Sequence, residues 1–355
     1  MAKVLMKGNE AIAEAAIQAG CRFFFGYPIT PQNEIPAYMA KMLPKIGGCF
    51  LQAESEVAAI NMVYGASGAG ARVMTSSSSP GISLKQEGIS YIAGAELPCV
   101  IVNIVRGGPG LGGIQPAQSD YFQSTKGGGH GDYRLVVLAP STIQEAVDLV
   151  MDGFDIADQY RNPVLILGDG MLGQMMEPIE FGQHRKRVLP EKTWATTGWK
   201  GDRPRSIINS LFIDPQELEN HNFALQKKYD EIMQHEVKVE CYHCEDAEII
   251  VAAYGTTARI IKNVIELAKN EGIKVGMIRP ITLWPFPTET FVQVADQEYV
   301  KAFLSVEMSM GQMVEDVKLS VNGKKPVYFS GRTGGMVPTP REILAVIKSI
   351  KGGME

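Results

Sequence analysis

Short apolar runs separated by longer amphipathic stretches set the rhythm of this chain, the alternation expected of parallel strands joined by crossover helices. Within residues 1–170 the runs Arg22–Phe25, Cys49–Gln52, Arg72–Thr75, Cys99–Val105, Leu135–Leu138 and Val164–Leu167 predict strands. Several consist mainly of Val, Ile, Leu and Phe, as expected where both faces of a parallel sheet are covered. Between them the spacing predicts helices over Pro31–Leu43, Ser55–Ala69, Ile82–Leu97 and Thr142–Gln159. An earlier helix is predicted to start at the cap residue Asn9 and to stop at Gly20. These elements make one doubly wound α/β domain.

The pattern changes over 171–245. Basic residues, Trp and Pro come irregularly as far as Arg205, and Asp214-Pro215 then opens a charged amphipathic helix running towards His235. A connector this long is usually functional or packed across another domain. Alternation returns over 246–355, where strands are predicted at Ile249–Tyr254, Lys274–Ile278 and Ala302–Val306. Helices are predicted at Thr256–Asn270, near Thr288–Asp296 and at Pro340–Lys351, making a second, smaller α/β domain.

Composition narrows the class. With 355 residues, 45% of them hydrophobic, 21% charged and 37 glycines, the chain has the profile of a multidomain α/β enzyme and not of a fibrous or disordered protein. Lys and Arg total 34 against 39 Asp and Glu, a net charge of -5 with no basic block, which argues against a nucleic-acid partner. No run approaches the ~18 apolar residues of a membrane span. Lys3, Lys7, Glu10 and Glu14 interrupt the opening stretch, unlike a secretory signal, so a cytoplasmic location is expected. The five cysteines are too irregular for a disulfide framework, and Cys241-Tyr242-His243-Cys244 offers one thiol pair where a zinc or iron–sulfur site needs four ligands. No metal is expected on this chain, and if it moves electrons their carrier lies elsewhere.

Candidate chemistry gathers after the strands, where open α/β sheets collect ligands. The loop Gly26-Tyr27-Pro28-Ile29-Thr30-Pro31 is stiffened by two prolines and presents the Thr30 hydroxyl, as a substrate contact or as a plain turn. Glu54 and Glu56 open an otherwise apolar helix, where acidic residues serve as caps or one carboxylate turns into a pocket. Ser76 to Gly81 is a run of small residues that lets a ligand approach the backbone. Arg106 ends an apolar strand, placed to clamp a carboxylate or to bridge a neighbouring loop. Gly108–Gly113 spells GxGxxG, yet Pro109 interrupts it and no glycine-packed helix start follows, which argues against a nicotinamide dinucleotide. His130 lies in a further Gly cluster, as a substrate contact or a loop histidine in solvent.

Taken in order, Gly26–Pro31, Glu56 within Glu54-Ser55-Glu56-Val57-Ala58-Ala59, and Arg106 before a Gly-rich loop resemble the alpha subunit of 2-oxoacid:ferredoxin oxidoreductases. The stretch Ile278–Pro287, Ile-Arg-Pro-Ile-Thr-Leu-Trp-Pro-Phe-Pro, resembles the transketolase-type C-terminal domain of that family. The likeness spans essentially the whole chain, and its overall look is most similar to subunits acting on 2-oxoisovalerate (3-methyl-2-oxobutanoate). It implies a first domain that binds the aminopyrimidine ring of thiamine diphosphate, with Pro28, Ile29 and Glu56 at the cofactor. Glu56 would hydrogen-bond the ring nitrogen and so favour the imino form that activates the thiazolium carbon. Thr30 and Arg106 match the positions that hold the oxoacid's carboxylate end, whereas Glu54 has no such match.

The resemblance also implies what is missing. The diphosphate and Mg2+ signature would be Gly-Asp-Gly followed by an Asn-rich segment, but Gly168-Asp169-Gly170 is followed by Ala195-Thr196-Thr197-Gly198. Gly168–Gly170 then reads as a strand-end turn. The diphosphate and Mg2+ site is expected on a beta subunit, and iron–sulfur clusters on that or on gamma or delta subunits, with coenzyme A and ferredoxin completing the reaction. The alternatives are the same reaction on 2-oxoglutarate or pyruvate, a nicotinamide-dependent oxidoreductase, or a non-catalytic interaction subunit. A 2-oxoglutarate site would need a second cation, for which Lys85, Lys126 and His130 stand as candidates.

Overall fold

A computed structural model describes residues 3–182 and 187–354. Its larger sheet has seven strands in the order Thr282–Trp284, Val136–Leu138, Pro163–Asp169, Cys99–Val105, Val73–Ser77, Phe23–Gly26 and Cys49–Gln52. All neighbours are parallel except Thr282–Trp284, which runs antiparallel to Val136–Leu138. The central strand Cys99–Val105 explains the near-continuous apolar runs. Val100, Val102 and Ile104 enter the core on one face of the sheet, while Cys99, Ile101 and Val105 enter the core on the other.

The smaller sheet orders Val327–Gly331, Ala302–Glu307, Ile249–Ala252, Val275–Pro280 and Val239–Tyr242, the last antiparallel to its neighbour. Helices Gly255–Asn270 and Pro340–Gly352 cover one face. The other face contributes Ile250, Ile278 and Phe303 to the same core as Ile101 and Val105 of the larger sheet. One apolar core therefore welds the two sheets together. Polar ties reinforce the junction. Gln118 donates from its backbone N to the Met308 carbonyl (2.8 Å) and from Nε2 to the Tyr254 carbonyl (2.8 Å).

Helix ends follow local chemistry where the sequence marks them. Ser55 Oγ accepts from Ala58 N at 3.1 Å, Thr142 Oγ1 from Glu145 N at 3.1 Å, and Asp214 Oδ1 from Gln216 N at 2.8 Å. Asn9 differs. It lies inside the helix Gly8–Gln18, fully buried, and donates from Nδ2 to the Pro31 carbonyl and to Glu34 Oε2, both at 2.8 Å. The residue expected as a cap is a tie that anchors the loop before Pro31, and the next helix starts only at Glu34.

The stretch 171–245 is less of a bare connector than its composition implies. The strand Met176–Ile179 pairs antiparallel with Val4–Lys7. Helix Pro215–His235 buries Leu225, Tyr229 and Ile232 in the core of the larger sheet. The strand Val239–Tyr242, which carries Cys241, belongs to the smaller sheet. Among the described residues no group of three or more His, Cys, Asp or Glu is placed to hold a metal ion. No helix there is long and apolar enough to cross a membrane.

Candidate active site

Three parallel strands deliver the site. Phe23–Gly26 leads into the Thr30 loop, Val73–Ser77 into the serine run, and Cys99–Val105 into Arg106, all at the carboxyl edge of the sheet. Glu56 arrives at the same edge as the first residue of helix Glu56–Gly68, just after the Ser55 cap. Glu54 stays exposed outside the helix, whereas Glu56 is 6% exposed. The difference follows from helix geometry: Glu56 faces helix Pro80–Gly94, which comes unusually close. A Cβ added at Gly88 would lie 2.5 Å from Ile60, and one at Gly81 would lie 2.7 Å from Glu56 Oε1 and 2.0 Å from Ser77 Oγ. Only glycine at 81 admits the carboxylate to this position.

The polar groups around it are left open. Among the described residues the Glu56 carboxylate has no hydrogen-bond partner, and the buried hydroxyls of Ser77 and Ser78 have none either. Buried polar groups without partners are rare, and a cluster of them at a strand edge fits a ligand's hydrogen-bonding groups. Ser79 beside them holds φ 28°, a left-handed value uncommon for a residue with a side chain. It is fixed by three bonds: its N donates to Asn103 Oδ1 (3.1 Å), its Oγ accepts from Arg106 N (3.1 Å) and donates to the Arg106 carbonyl (3.3 Å). Asn103 in turn donates to Asp120 Oδ2 at 2.9 Å, and burial pushes the Asp120 carboxyl upward.

Arg106 and Thr30 are brought together, by the backbone of Thr30. Arg106 Nη1 donates to the Thr30 carbonyl (2.9 Å) and Nη2 to the Leu111 carbonyl (3.2 Å), so one guanidinium joins both loops. The residue is 7% exposed and its Nε–H is buried without a partner. A guanidinium has five donors, so N–H groups remain for a carboxylate. The Thr30 side chain is exposed and accepts only a long bond of 3.4 Å from Asn33 Nδ2. Pro28 is exposed and Ile29 half-buried on the same loop.

The remaining sequence candidates separate from this cluster. Lys126 is ion-paired with Asp316 at 2.5 Å, and His130 is exposed with its ring edge-on to Tyr91. Lys85 is fully buried: Nζ donates to Thr75 Oγ1 at 2.6 Å and to the Ser76 carbonyl at 3.1 Å. After the Gly108–Gly113 loop the next helix starts only at Tyr121, so no helix N-terminus faces that loop to receive a pyrophosphate. A separate groove lies elsewhere, between helix Pro215–His235 and the loop Leu283–Thr290.

Asp169 and the segment 195–198 occupy opposite edges of the sheet. Asp169 ends its strand at the carboxyl edge and caps the turn Gly170–Gln174, its Oδ1 accepting from Met171 N (2.8 Å) and Leu172 N (3.1 Å). Thr196 instead donates to the Gly68 carbonyl at the far end of helix Glu56–Gly68. The described residues therefore do not assemble a diphosphate and Mg2+ site. They do fit the pyrimidine end of thiamine diphosphate, with a buried free carboxylate, two orphaned hydroxyls and a cradle that a Cβ would fill.

Residues 14–242 match the family described as pyruvate flavodoxin/ferredoxin oxidoreductase, thiamine diphosphate-binding, and residues 247–343 match pyruvate:ferredoxin oxidoreductase core domain II. The chain belongs to the 2-oxoacid:ferredoxin oxidoreductase family. Among the oxidoreductases of this family it is 51% identical to the ketoisovalerate oxidoreductase subunit VorB of Methanothermobacter marburgensis, over 99% of both chains. It is 38% identical to the 2-oxoglutarate synthase subunit KorA of Methanothermobacter thermautotrophicus, over 96% of this chain and 97% of that one. Its fold superposes on the 2-oxoglutarate:ferredoxin oxidoreductase of Magnetococcus marinus with a TM-score of 0.88 at 28% identity, covering 98% of this chain. The chain spans only 65% of that solved oxidoreductase chain.

Proposed function

We propose that this chain is the half-site subunit of a 2-oxoacid:ferredoxin oxidoreductase that decarboxylates a branched-chain substrate, 2-oxoisovalerate. In the overall reaction the 2-oxoacid and coenzyme A give the acyl-CoA, carbon dioxide and a proton, and two electrons pass singly to two oxidised ferredoxins. The observation that carries the reading is Glu56, a residue 6% exposed, set beside two buried serine hydroxyls that have no partner. When bound, thiamine diphosphate supplies the electron sink for decarboxylation. Glu56 holds a proton at the ring nitrogen of its aminopyrimidine, Pro28 and Ile29 line the ring, and Ser77 and Ser78 offer it hydroxyls. Thr30 and the free N–H groups of Arg106 orient the oxoacid carboxylate, while the small residues of the serine run keep the backbone close.

A beta subunit completes the site with diphosphate and Mg2+ ligands, and gamma or delta subunits carry the iron–sulfur clusters. Apolar side chains exposed on the loops and helix starts around Glu56, namely Tyr27, Val57, Leu84, Leu111 and Ile114, favour a covering partner. For the substrate, the 51% identity to a ketoisovalerate subunit outweighs the 38% to a 2-oxoglutarate subunit. Two of the three candidate second cations, Lys85 and Lys126, already have partners within the chain, Thr75 and Asp316. We place the complex in the cytoplasm, where coenzyme A and ferredoxin are found together.

The test is anaerobic, coenzyme-A-dependent viologen reduction by the natively purified complex, run with 2-oxoisovalerate, 2-oxoglutarate, pyruvate and aromatic oxoacids. Activity should be highest with 2-oxoisovalerate and absent from an assembled Glu56→Gln complex, which keeps the shape and loses the charge. Full activity of that variant sinks the role of Glu56. A preference for 2-oxoglutarate or pyruvate sinks the substrate assignment alone.

A further inference from the structure

Lys85 has no place in the chemistry described so far, and its location is unusual. A lysine is almost never fully buried unless it is paired, yet Lys85 has no exposed surface. It lies in helix Pro80–Gly94, four residues after Gly81 and three before Gly88, on the face that packs against helix Glu56–Gly68. Gly81 and Gly88 let the two helices close up, and that approach buries Glu56 and Lys85 at the same helix–helix contact. Nζ is anchored by Thr75 Oγ1 and the Ser76 carbonyl at the end of the strand that feeds the serine run. An ammonium has three N–H donors, and these two acceptors leave one.

Two ionisable groups face Lys85 from the elements packed on it, Glu56 from its helix and Cys99 from the strand Cys99–Val105. Burial pushes the Lys85 ammonium down to about 7, against the opposing pull of Glu56, and burial pushes the Cys99 thiol up to about 12. Cys99 is thus a neutral neighbour, and among the described residues Glu56 is the counter-charge that acts on Lys85.

Building on the thiamine-diphosphate reading of the site, we propose that Lys85 is a positioning residue for Glu56, a buried cation fixed on the Thr75–Ser76 strand end whose charge acts on that carboxylate beside Gly81 and sets the net charge facing the cofactor's aminopyrimidine. A buried carboxylate with no partner is costly. A cation behind it offsets that cost without occupying the carboxylate oxygens, which stay free for the ring nitrogen. Lys85 Nζ bonds only to Thr75 and Ser76 among the described residues, so its charge acts on the site through Glu56.

The test reads the protonation of the bound aminopyrimidine, not turnover. The purified complex, loaded with thiamine diphosphate, is titrated from acid to alkaline pH while near-ultraviolet circular dichroism follows the ring. Lys85→Met keeps length and removes the charge, so the ring's cationic form becomes easier to reach and the midpoint should rise by about one pH unit. In parallel kcat should fall while the KM for the oxoacid stays unchanged. Thr75→Val, isosteric and at a fully buried position, loosens the ammonium without a volume change. It should move the midpoint the same way by less, which keeps the idea testable if the methionine variant does not assemble. A midpoint unmoved in both variants, with cofactor bound, overturns the role of Lys85 and leaves the family site standing. Failure of the wild-type complex to bind thiamine diphosphate overturns the site reading and this inference with it.

Discussion

Gly81→Ala is the sharpest perturbation the structure offers, because it adds one methyl group at the back of the proposed catalytic carboxylate. The new Cβ would lie 2.0 Å from Ser77 Oγ and 2.7 Å from Glu56 Oε1, with Glu56 Cγ at 3.2 Å. Ordinary carbon–oxygen contacts begin well beyond 3 Å, so the serine hydroxyl must rotate and the carboxylate must retreat by about 1 Å. Helix stability works in the opposite direction, since alanine is favoured over glycine within a helix by up to ~1 kcal/mol. Overpacking costs about 1–3 kcal/mol, so the net loss of stability should stay below ~2 kcal/mol. Function has no such compensation. A reacting group misplaced by ~1 Å lowers rate by roughly 100-fold. The expected result is an assembled complex with nearly normal thermal unfolding and kcat/KM for viologen reduction about 100-fold lower. Wild-type activity in the alanine variant would refute the placement of Glu56 at the reacting centre.

Arg106→Ala should raise the oxoacid KM at least ~10-fold, the worth of a charge-assisted hydrogen bond of about 1.5–3 kcal/mol, and an unchanged substrate response rules out the clamp. Glu307 is fully buried and accepts from Gln312 N, Met313 N, Val314 N, Ser305 Oγ and Ser309 Oγ, all between 2.9 and 3.0 Å. Glu307→Ala strands these donors at about 3–5 kcal/mol and should lower Tm by roughly 5 °C in a chain of 355 residues; a change under about 2 °C would show that water takes over the contacts. The proton on Lys85 is lost near pH 7 in the folded chain and near 10.5 in the unfolded one, so between these values the unfolded state binds more protons and stability falls as pH drops. Lys85→Met should therefore gain more over wild type at pH 7 than at pH 9, by about 2–3 kcal/mol in unfolding free energy, and equal gains at both would contradict a strongly desolvated ammonium.

Much of the site was legible in the loops. The strand Cys99–Val105 and the cap residues Ser55, Thr142 and Asp214 follow from runs of side chains a few residues long, where local propensity and hydrogen bonding decide the outcome. The loop Gly26–Pro31, Glu56 and Arg106 were candidates because strand ends in a doubly wound sheet converge, and the family resemblance, not local chemistry, chose Glu56 over Glu54. Short elements escaped. The strands Val4–Lys7, Met176–Ile179 and Thr282–Trp284 are three or four residues long, and each is stabilised by a partner far away in sequence. Asn9 sits beside a helix start and reads as a cap, yet its amide bonds to Pro31 and Glu34 across a turn of the fold.

The amino-acid sequence alone determined the α/β class, the order of the main strands and helices, and the family likeness, because periodicity and turn chemistry act over neighbouring residues. Tertiary structure alone decided what these pieces meet. It joined both sheets in one core through Ile101 and Ile250, and drew the strand Thr282–Trp284 onto the edge of the larger sheet. It also separated Asp169 from the segment 195–198, and set Lys85 behind Glu56 by closing two helices over Gly81 and Gly88. A two-residue period tells which side chains share a face of a strand. It carries no information about which distant surface will cover that face, and burial, charge pairing and proton affinity all depend on that cover.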